Sequence, residues 1–172
     1  MCDEEIDPRT PFQDEITLVR ALLGPDPGEW PTVKVTLSPC LKLMFDVYSE
    51  KQLYQRTRTG AGMPRLVDLL DELERLSTIQ PDLKELRNAP ILDQWSAGIG
   101  TDGCPRLYGR VTGHPRLREG ARIYTSPYFQ VDPEAGWART WSRIYKLGRY
   151  DRQFLAEMIM DCVVGPTEPI EL

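Results

Sequence analysis

Histidine is nearly missing from this chain: His114 is the one example among 172 residues. Cysteine is sparse and scattered, at Cys2, Cys40, Cys104 and Cys162, with no C-x-x-C pair. A structural zinc site needs closely spaced Cys and His ligands, so the sequence offers none, and no metal or cofactor is expected. No apolar run approaches the roughly 20 residues of a membrane span. The first ten residues, MCDEEIDPRT, are acidic where a secretory leader would be basic. A soluble protein in a reducing, cytoplasmic setting is the expectation. Phosphate cradles are also missing: Gly98, Gly100 and Gly103 lack the helix that follows them in a dinucleotide fingerprint. The acidic run at 68–74 contains no glycine-centred calcium loop.

What is present is an ordinary globular composition, 41% hydrophobic and 27% charged. A 19.7 kDa chain can bury roughly 70% of its unfolded surface, enough for a core without staples. Charge is polarised along it. Residues 1–103 hold 11 Lys/Arg against 18 Asp/Glu, 104–152 hold 10 against 4, and 153–172 hold none against 4. The acidic half and the basic segment either attract each other within the fold or present the basic surface to an anionic partner.

Periodicity organises the chain as an acidic tail (1–11), one α+β domain (12–165) and a short tail (166–172). Within the domain, 12–88 is mainly helical, 89–148 contains the strands, and 151–163 forms a last helix. Ile16, Val19, Leu22 and Leu23 repeat at helical spacing before Gly24-Pro25. Val33, Val35 and Leu37 alternate as a short strand, 41–54 fits a helix better than a strand, and 55–63 reads as a loop. From Pro64 to Ile79 the stripe Leu66, Leu69, Leu70, Leu73, Leu76 predicts an amphipathic helix. Its acidic face, continued by Asp82 and Glu85, is either a solvated surface or a phosphate mimic. Strands are expected at 107–112, 122–125 and 128–131, joined by short antiparallel connections. Trp137, Trp141, Ile144 and Tyr145 then suggest a helix over 137–147, and Asp151 caps the one carrying Phe154, Leu155 and Met158. The fold class is α+β, with helices packed on a small antiparallel sheet built from about 105–132. Trp30, Trp95, Trp137 and Trp141 are candidates for its core or an interface.

The stretch LYGRVTGHPRLREGARIYTSPYFQVDPEAGWARTWSRIYKLG at 107–148 follows a pattern L-x-G-x-V-x-G-H-P … D-G … T-S … W-A-R-T-x-S-R-x-Y-x-L-G, with Glu119-Gly120 in place of Asp-Gly. APILDQW at 89–95 follows A-P-x-L-D-x-W. Both resemble an uncharacterised family of bacterial proteins, common in alphaproteobacteria and their plasmids. The resemblance covers about a third of the chain and implies a bacterial or mobile-element origin, with no assigned activity.

Two constellations carry possible chemistry. Any general-base work near neutral pH falls to His114, with Cys104 or Ser126 as nucleophile. Neither candidate sits in a nucleophile elbow, and the Gly113-His114-Pro115 context also suits a rigid turn. The second constellation is Arg139, Arg143, Lys146, Arg149 and Arg152, interleaved with Trp137, Trp141, Tyr145 and Tyr150. As a helix, this segment would gather Arg139, Arg143 and Lys146 on one cationic face beside an aromatic one, suited to phosphates and bases. Against it, helical tryptophans are usually core, and arginines can pair with the acidic helix at 64–79. The leading expectation is a non-enzymatic interaction or regulatory protein that binds a protein partner stoichiometrically, one form being an inhibitor of a host defence protein. A nucleic-acid-binding regulator using 137–152 is the alternative, and a small hydrolase centred on His114 the second. No membrane partner is expected, and a homodimer is open.

Overall fold

The computed structural model describes residues 7–28, 37–59 and 65–172. The chain divides into two compact units, 12–78 and the combination of 1–11 with 79–172.

The first unit is helical. Helix α1 (Gln13–Leu23) buries Ile16 and Val19, with Asp14 and Glu15 in its first turn and Arg20 in its last, each favourable to the helix dipole. Glu15 accepts both the backbone N–H (2.6 Å) and the hydroxyl (2.8 Å) of Ser38, just ahead of helix α2 (Pro39–Thr59). Helix α3 (Leu66–Thr78) buries Leu66, Leu69, Leu70, Leu73 and Leu76, the stripe its sequence spells. It packs on α1, where the Arg20 guanidinium spans Asp71 (2.6 Å) and Glu74 (2.9 Å). Residues 55–59, expected as loop, belong to α2. Trp30, Val33, Val35 and 60–64 lie outside the described residues.

The second unit is built on a sheet. Short helix α4 (Leu83–Asn88) opens with a capping box between Asp82 and Glu85. Strands β1 (Ile91–Ile99), β2 (Pro105–Thr112), β3 (Ala121–Tyr124), β4 (Tyr128–Asp132), β5 (Trp137–Thr140) and β6 (Ile144–Leu147) follow, then helix α5 (Arg152–Met160) and strand β7 (Glu168–Ile170). The strand order is β3-β2-β1-β6-β5-β4, with β7 pairing β1. Pairing is antiparallel except between β1 and β6. The protein is therefore α+β, with a sheet larger than expected, running from β1 to β7 rather than over 105–132.

One consequence of this order governs the unit. Strands β3 and β4 occupy opposite edges, yet only residues 125–127 join them. Six flat strands would separate the edges by about 24 Å, at five gaps of about 4.8 Å. The connection from Tyr124 to Tyr128 can reach only about 14 Å when fully extended. The sheet must roll, and β2 and β4 do touch. The rolled interior holds Leu92, Trp95, Ala97, Leu107, Val111, Tyr128, Val131, Ala138 and Tyr145. The outer face of β2 carries Tyr108 against Phe154, Leu155 and Met158 of α5.

The helix expected at 137–147 is instead the β5–β6 hairpin. Trp137, Trp141 and Tyr145 recur every four residues, and four is even, so the spacing satisfies a strand's period as well as a helix's. The Thr140 side chain decides between them. Its hydroxyl donates to the Arg143 carbonyl (2.9 Å) and accepts the Arg143 N–H (3.2 Å), while the Thr140 N–H reaches the same carbonyl (2.8 Å). These bonds fix a four-residue turn where a helix would continue.

Two glycines permit close approach within the sheet. A β-carbon at Gly148 would meet the Asp93 carboxylate at 2.5 Å, and one at Gly109 would meet Leu92 at 2.8 Å. Asp93 accepts the Arg149 N–H (2.8 Å), and the Trp95 indole donates to the Gly148 carbonyl (3.1 Å). The two stretches that carry the resemblance also join through backbone bonds, the Lys146 N–H to the Pro90 carbonyl and the Gly148 N–H to the Leu92 carbonyl, both 2.9 Å. Gly109→Ala overfills the interior beneath Leu92 and should cost about 1–3 kcal/mol. Urea unfolding followed by tryptophan fluorescence checks this, and an unchanged midpoint would show that the interior is not close-packed there.

Candidate functional site

The basic aromatic segment does not form a cationic face. Arg139 lies in β5, is 4% exposed, and faces Glu85 of α4 at 3.6 Å. Trp137 is buried beside it, and Trp141 sits half-buried in the hairpin turn, its N–H bonded to Pro127. Lys146 is half-buried in β6. Arg149 is exposed, 3.8 Å from Asp151, and Arg152 meets Glu171 at 2.7 Å. Arg139 and Lys146 share one side of the hairpin and Arg143 lies in its turn, but Arg139 is buried against Glu85, so the three do not make one exposed cationic face.

His114 lies in the β2–β3 connection, where its Nδ1 accepts the Arg116 N–H (3.1 Å), a turn-forming bond. Burial, then the charges of Arg143 and Arg116, lower its pKa below the ordinary imidazole value. Of the expected binding set, Arg143 is thus the member brought near His114. Ser126 is engaged elsewhere: its hydroxyl donates to Ser142 Oγ (2.9 Å) and accepts the Ser142 N–H (3.1 Å). Thr125 accepts the Leu107 N–H on its hydroxyl (3.1 Å) and donates its own N–H to the Leu107 carbonyl (2.8 Å). The T-S and T-x-S-R elements are therefore the clasp that holds the rolled sheet. Among the described residues, no three His, Cys, Asp or Glu gather to hold a metal, and no helix is long and apolar enough to cross a membrane.

The polar cleft lies where sequence reasoning did not look. It has a volume of about 300 Å³ and is walled by Gly100 and Asp102 of the β1–β2 loop, Arg106 and Tyr108 of β2, Tyr124 of β3, and the segment before β7. Alternation on β2 sends Arg106, Tyr108 and Arg110 to one face. Arg106 donates to Asp102 (2.6 Å) and to the Thr125 carbonyl (2.9 Å), and its guanidinium lies over the Tyr124 ring, 5.5 Å from the centroid. The Tyr124 and Tyr108 rings stand 6.4 Å apart, and Tyr124 is 57% exposed. Burial raises the Tyr108 pKa, partly offset by a hydrogen bond with Thr167 and by the Arg106 charge. Burial also acts to raise that of Asp102, but the Arg106 bond and charge and the Cys104 N–H prevail and hold it below the ordinary value. The signal available in sequence was the period-two run Arg106, Tyr108, Arg110; the other walls are distant in the chain. A second hollow, about 420 Å³, lies where residues 7–10 cross β4. There the Arg9 carbonyl takes the Val131 N–H (2.9 Å), and the Arg9 guanidinium pairs with Glu134 (3.0 and 3.2 Å).

Because the Asp102 pKa lies below 3.8 in the folded protein, its stabilising contribution is complete above that pH and is lost as pH falls through the folded value. Arg106→Gln should move the Asp102 pKa upward in a carboxyl-carbon NMR titration. An unchanged value would remove Arg106 as the group that sets it.

No curated protein and no solved structure matches this chain. A match to a family of unknown function, DUF6634, extends over residues 74–165. It covers more than half of the chain, takes in nearly the whole sheet, and encloses both stretches that carry the resemblance. The chain therefore belongs to this family of unknown function, DUF6634.

Proposed function

We propose that this is a non-enzymatic interaction protein that binds a protein partner stoichiometrically, with the Tyr124–Arg106 cleft at the centre of its binding surface. The observation that carries the proposal is the exposed Tyr124 ring with Arg106 laid over it and pinned by Asp102 and the Thr125 carbonyl. Tyrosine and arginine dominate binding hot spots. A guanidinium fixed before the partner arrives loses little side-chain entropy on binding. Inhibition of a host defence protein by occupancy is one form this activity takes.

A second class of partner, nucleic acid, rests on Arg116 and Arg143, whose positive charges both bear on His114. Phosphate binding there would depend on Arg116 and Arg143.

A photo-crosslinking residue at Val163, which lines the cleft, tests the first reading against a control at the exposed Leu83. The expected result in cell lysate is one nuclease-resistant protein adduct at position 163, lost in a Tyr124→Ala background and missing at position 83. An adduct of the chain with itself, or none, would overturn the reading. Loss on nuclease treatment, and with Arg116→Glu plus Arg143→Glu, would move the function to nucleic acid.

A further inference from the structure

From Pro105 to Tyr124, across β2, β3 and the connection between them, the chain carries five arginines and one acidic residue, Glu119. The Glu119 carboxylate is taken by the Gly113 N–H, at 3.0 and 3.1 Å. The register sets Arg110 of β2 directly opposite Arg122 of β3. Like charges so placed repel one another across the ladder. Arg122 donates through Nη1 to Asp161 (2.5 Å). Arg110 meets no carboxylate among the described residues. It donates to the Gln94 side-chain oxygen (2.8 Å) and the Gly120 carbonyl (3.4 Å), and its guanidinium lies 5.4 Å from the centre of the Phe154 ring. Two guanidiniums thus share one carboxylate, and one positive charge in the row is unbalanced.

The next strand position is where a balancing charge fits. Among the described residues no strand pairs with the outer edge of β3. Thr125 directs its N–H to the Leu107 carbonyl, so alternation along β3 turns the N–H and C=O groups of Arg122 and Tyr124 outward. An extended chain laid antiparallel on this edge pairs all of these groups. Its residue opposite Tyr124 comes two before its residue opposite Arg122, and both side chains stand on the arginine face. The residue opposite Arg122 lies one strand spacing away, about 4.8 Å, and in line with Arg110. A carboxylate there balances the row, whereas a cation adds a third like charge. The residue opposite Tyr124 stands beside a ring that is 57% exposed, which an apolar side chain covers.

Phosphate groups would accept from the arginines but offer no donor to the outward carbonyls of Arg122 and Tyr124. A peptide backbone offers donor and acceptor in the alternation this edge requires. We infer that the partner adds an acidic extended segment to the outer edge of β3, with Asp or Glu opposite Arg122 and an apolar residue opposite Tyr124. Main-chain bonds give such a contact its affinity, and the two side chains give it specificity. The inference rests on the reading of Tyr124 as part of the partner surface, and it names the chemistry of what docks there.

The test uses the peptide acetyl-Thr-Val-Thr-Glu-Thr-amide as the probe, in which Val meets Tyr124 and Glu meets Arg122. It is titrated into the full chain and followed by amide NMR shifts. Beside it run three relatives: Gln in place of Glu, Lys in place of Glu, and a form N-methylated at Val and Glu. The glutamate peptide should give saturable shifts at Arg122 and Tyr124 and bind about fivefold more tightly than the glutamine peptide, the effect of one cross-strand charge pair. The lysine and N-methylated forms should give none. Arg122→Gln should abolish the preference for glutamate while the glutamine peptide still binds, a pattern that loss of folding would not produce. No saturable shifts with glutamate, equal binding of the lysine or N-methylated form, or an undiminished glutamate preference in Arg122→Gln would overturn the inference. A partner that still crosslinks at position 163 would then leave the interaction reading standing; loss of that adduct too would remove both.

Discussion

Three residues between opposite edges of a sheet are the constraint on which the second unit depends. Because 125–127 cannot span a flat six-stranded sheet, β3 and β4 are drawn toward one another and the sheet encloses its own apolar face. Rolling exposes three consecutive peptides that need partners, and β2 and the β5–β6 turn supply them. Thr125 bonds back to Leu107 on β2, while Ser126 and Pro127 bond across to Ser142 and Trp141 of the β5–β6 turn. The link is thus stitched to strands on both sides of it, and nine buried residues fill what it encloses. Polar residues that read as candidate chemistry are, in place, the fasteners of this closure.

Charge follows the same logic. Arg139 is buried and faces Glu85, whose carboxylate also closes the α4 capping box by accepting the Asp82 N–H. Asp93 accepts a backbone N–H beside a glycine that leaves it room. A buried ionic or polar group holds only when matched, and here the matching side chains come from distant segments. Arg106 differs from them. It is held by Asp102 and Thr125 but lies at the rim of a cleft, over an aromatic ring exposed to solvent. The closure that fixes Thr125 also fixes Arg106, so the proposed site depends on the same three residues as the fold.

Much of this was legible from periodicity. The leucine stripe of α3, the Ile16 and Val19 face of α1, the Asp151 cap with Phe154, Leu155 and Met158 behind it, and the strands around 107–131 all lie where local pattern put them. Strand β1 was hidden by an irregularity: Gln94 has φ 48°, and the register shifts between Asp93 and Ser96, so Leu92 and Trp95 both point inward against a period of two. The β5–β6 hairpin was hidden because an even spacing suits either period, and the arbiter was one threonine side chain. The cleft was not legible because its walls come from 100–108, 124 and 163–167, which only the sheet order brings together. Arg139, Arg143 and Lys146 do not make one exposed face because Arg139 is buried against Glu85 and Arg143 lies in the hairpin turn, which their spacing alone does not show.

Native-state hydrogen exchange tests the central claim, that the 125–127 link is stitched to the strands on both sides of it while, among the described residues, the outer edge of β3 stays unpaired. The amides of Leu107, Thr125, Trp141 and Ser142 should exchange as slowly as those of the sheet interior, while those of Arg122 and Tyr124 should exchange like exposed backbone. Rapid exchange at Thr125 and Ser142 would mean that the link is an ordinary loop. Protection at Tyr124 in the isolated chain would mean that the edge is already covered. Either result would contradict the account.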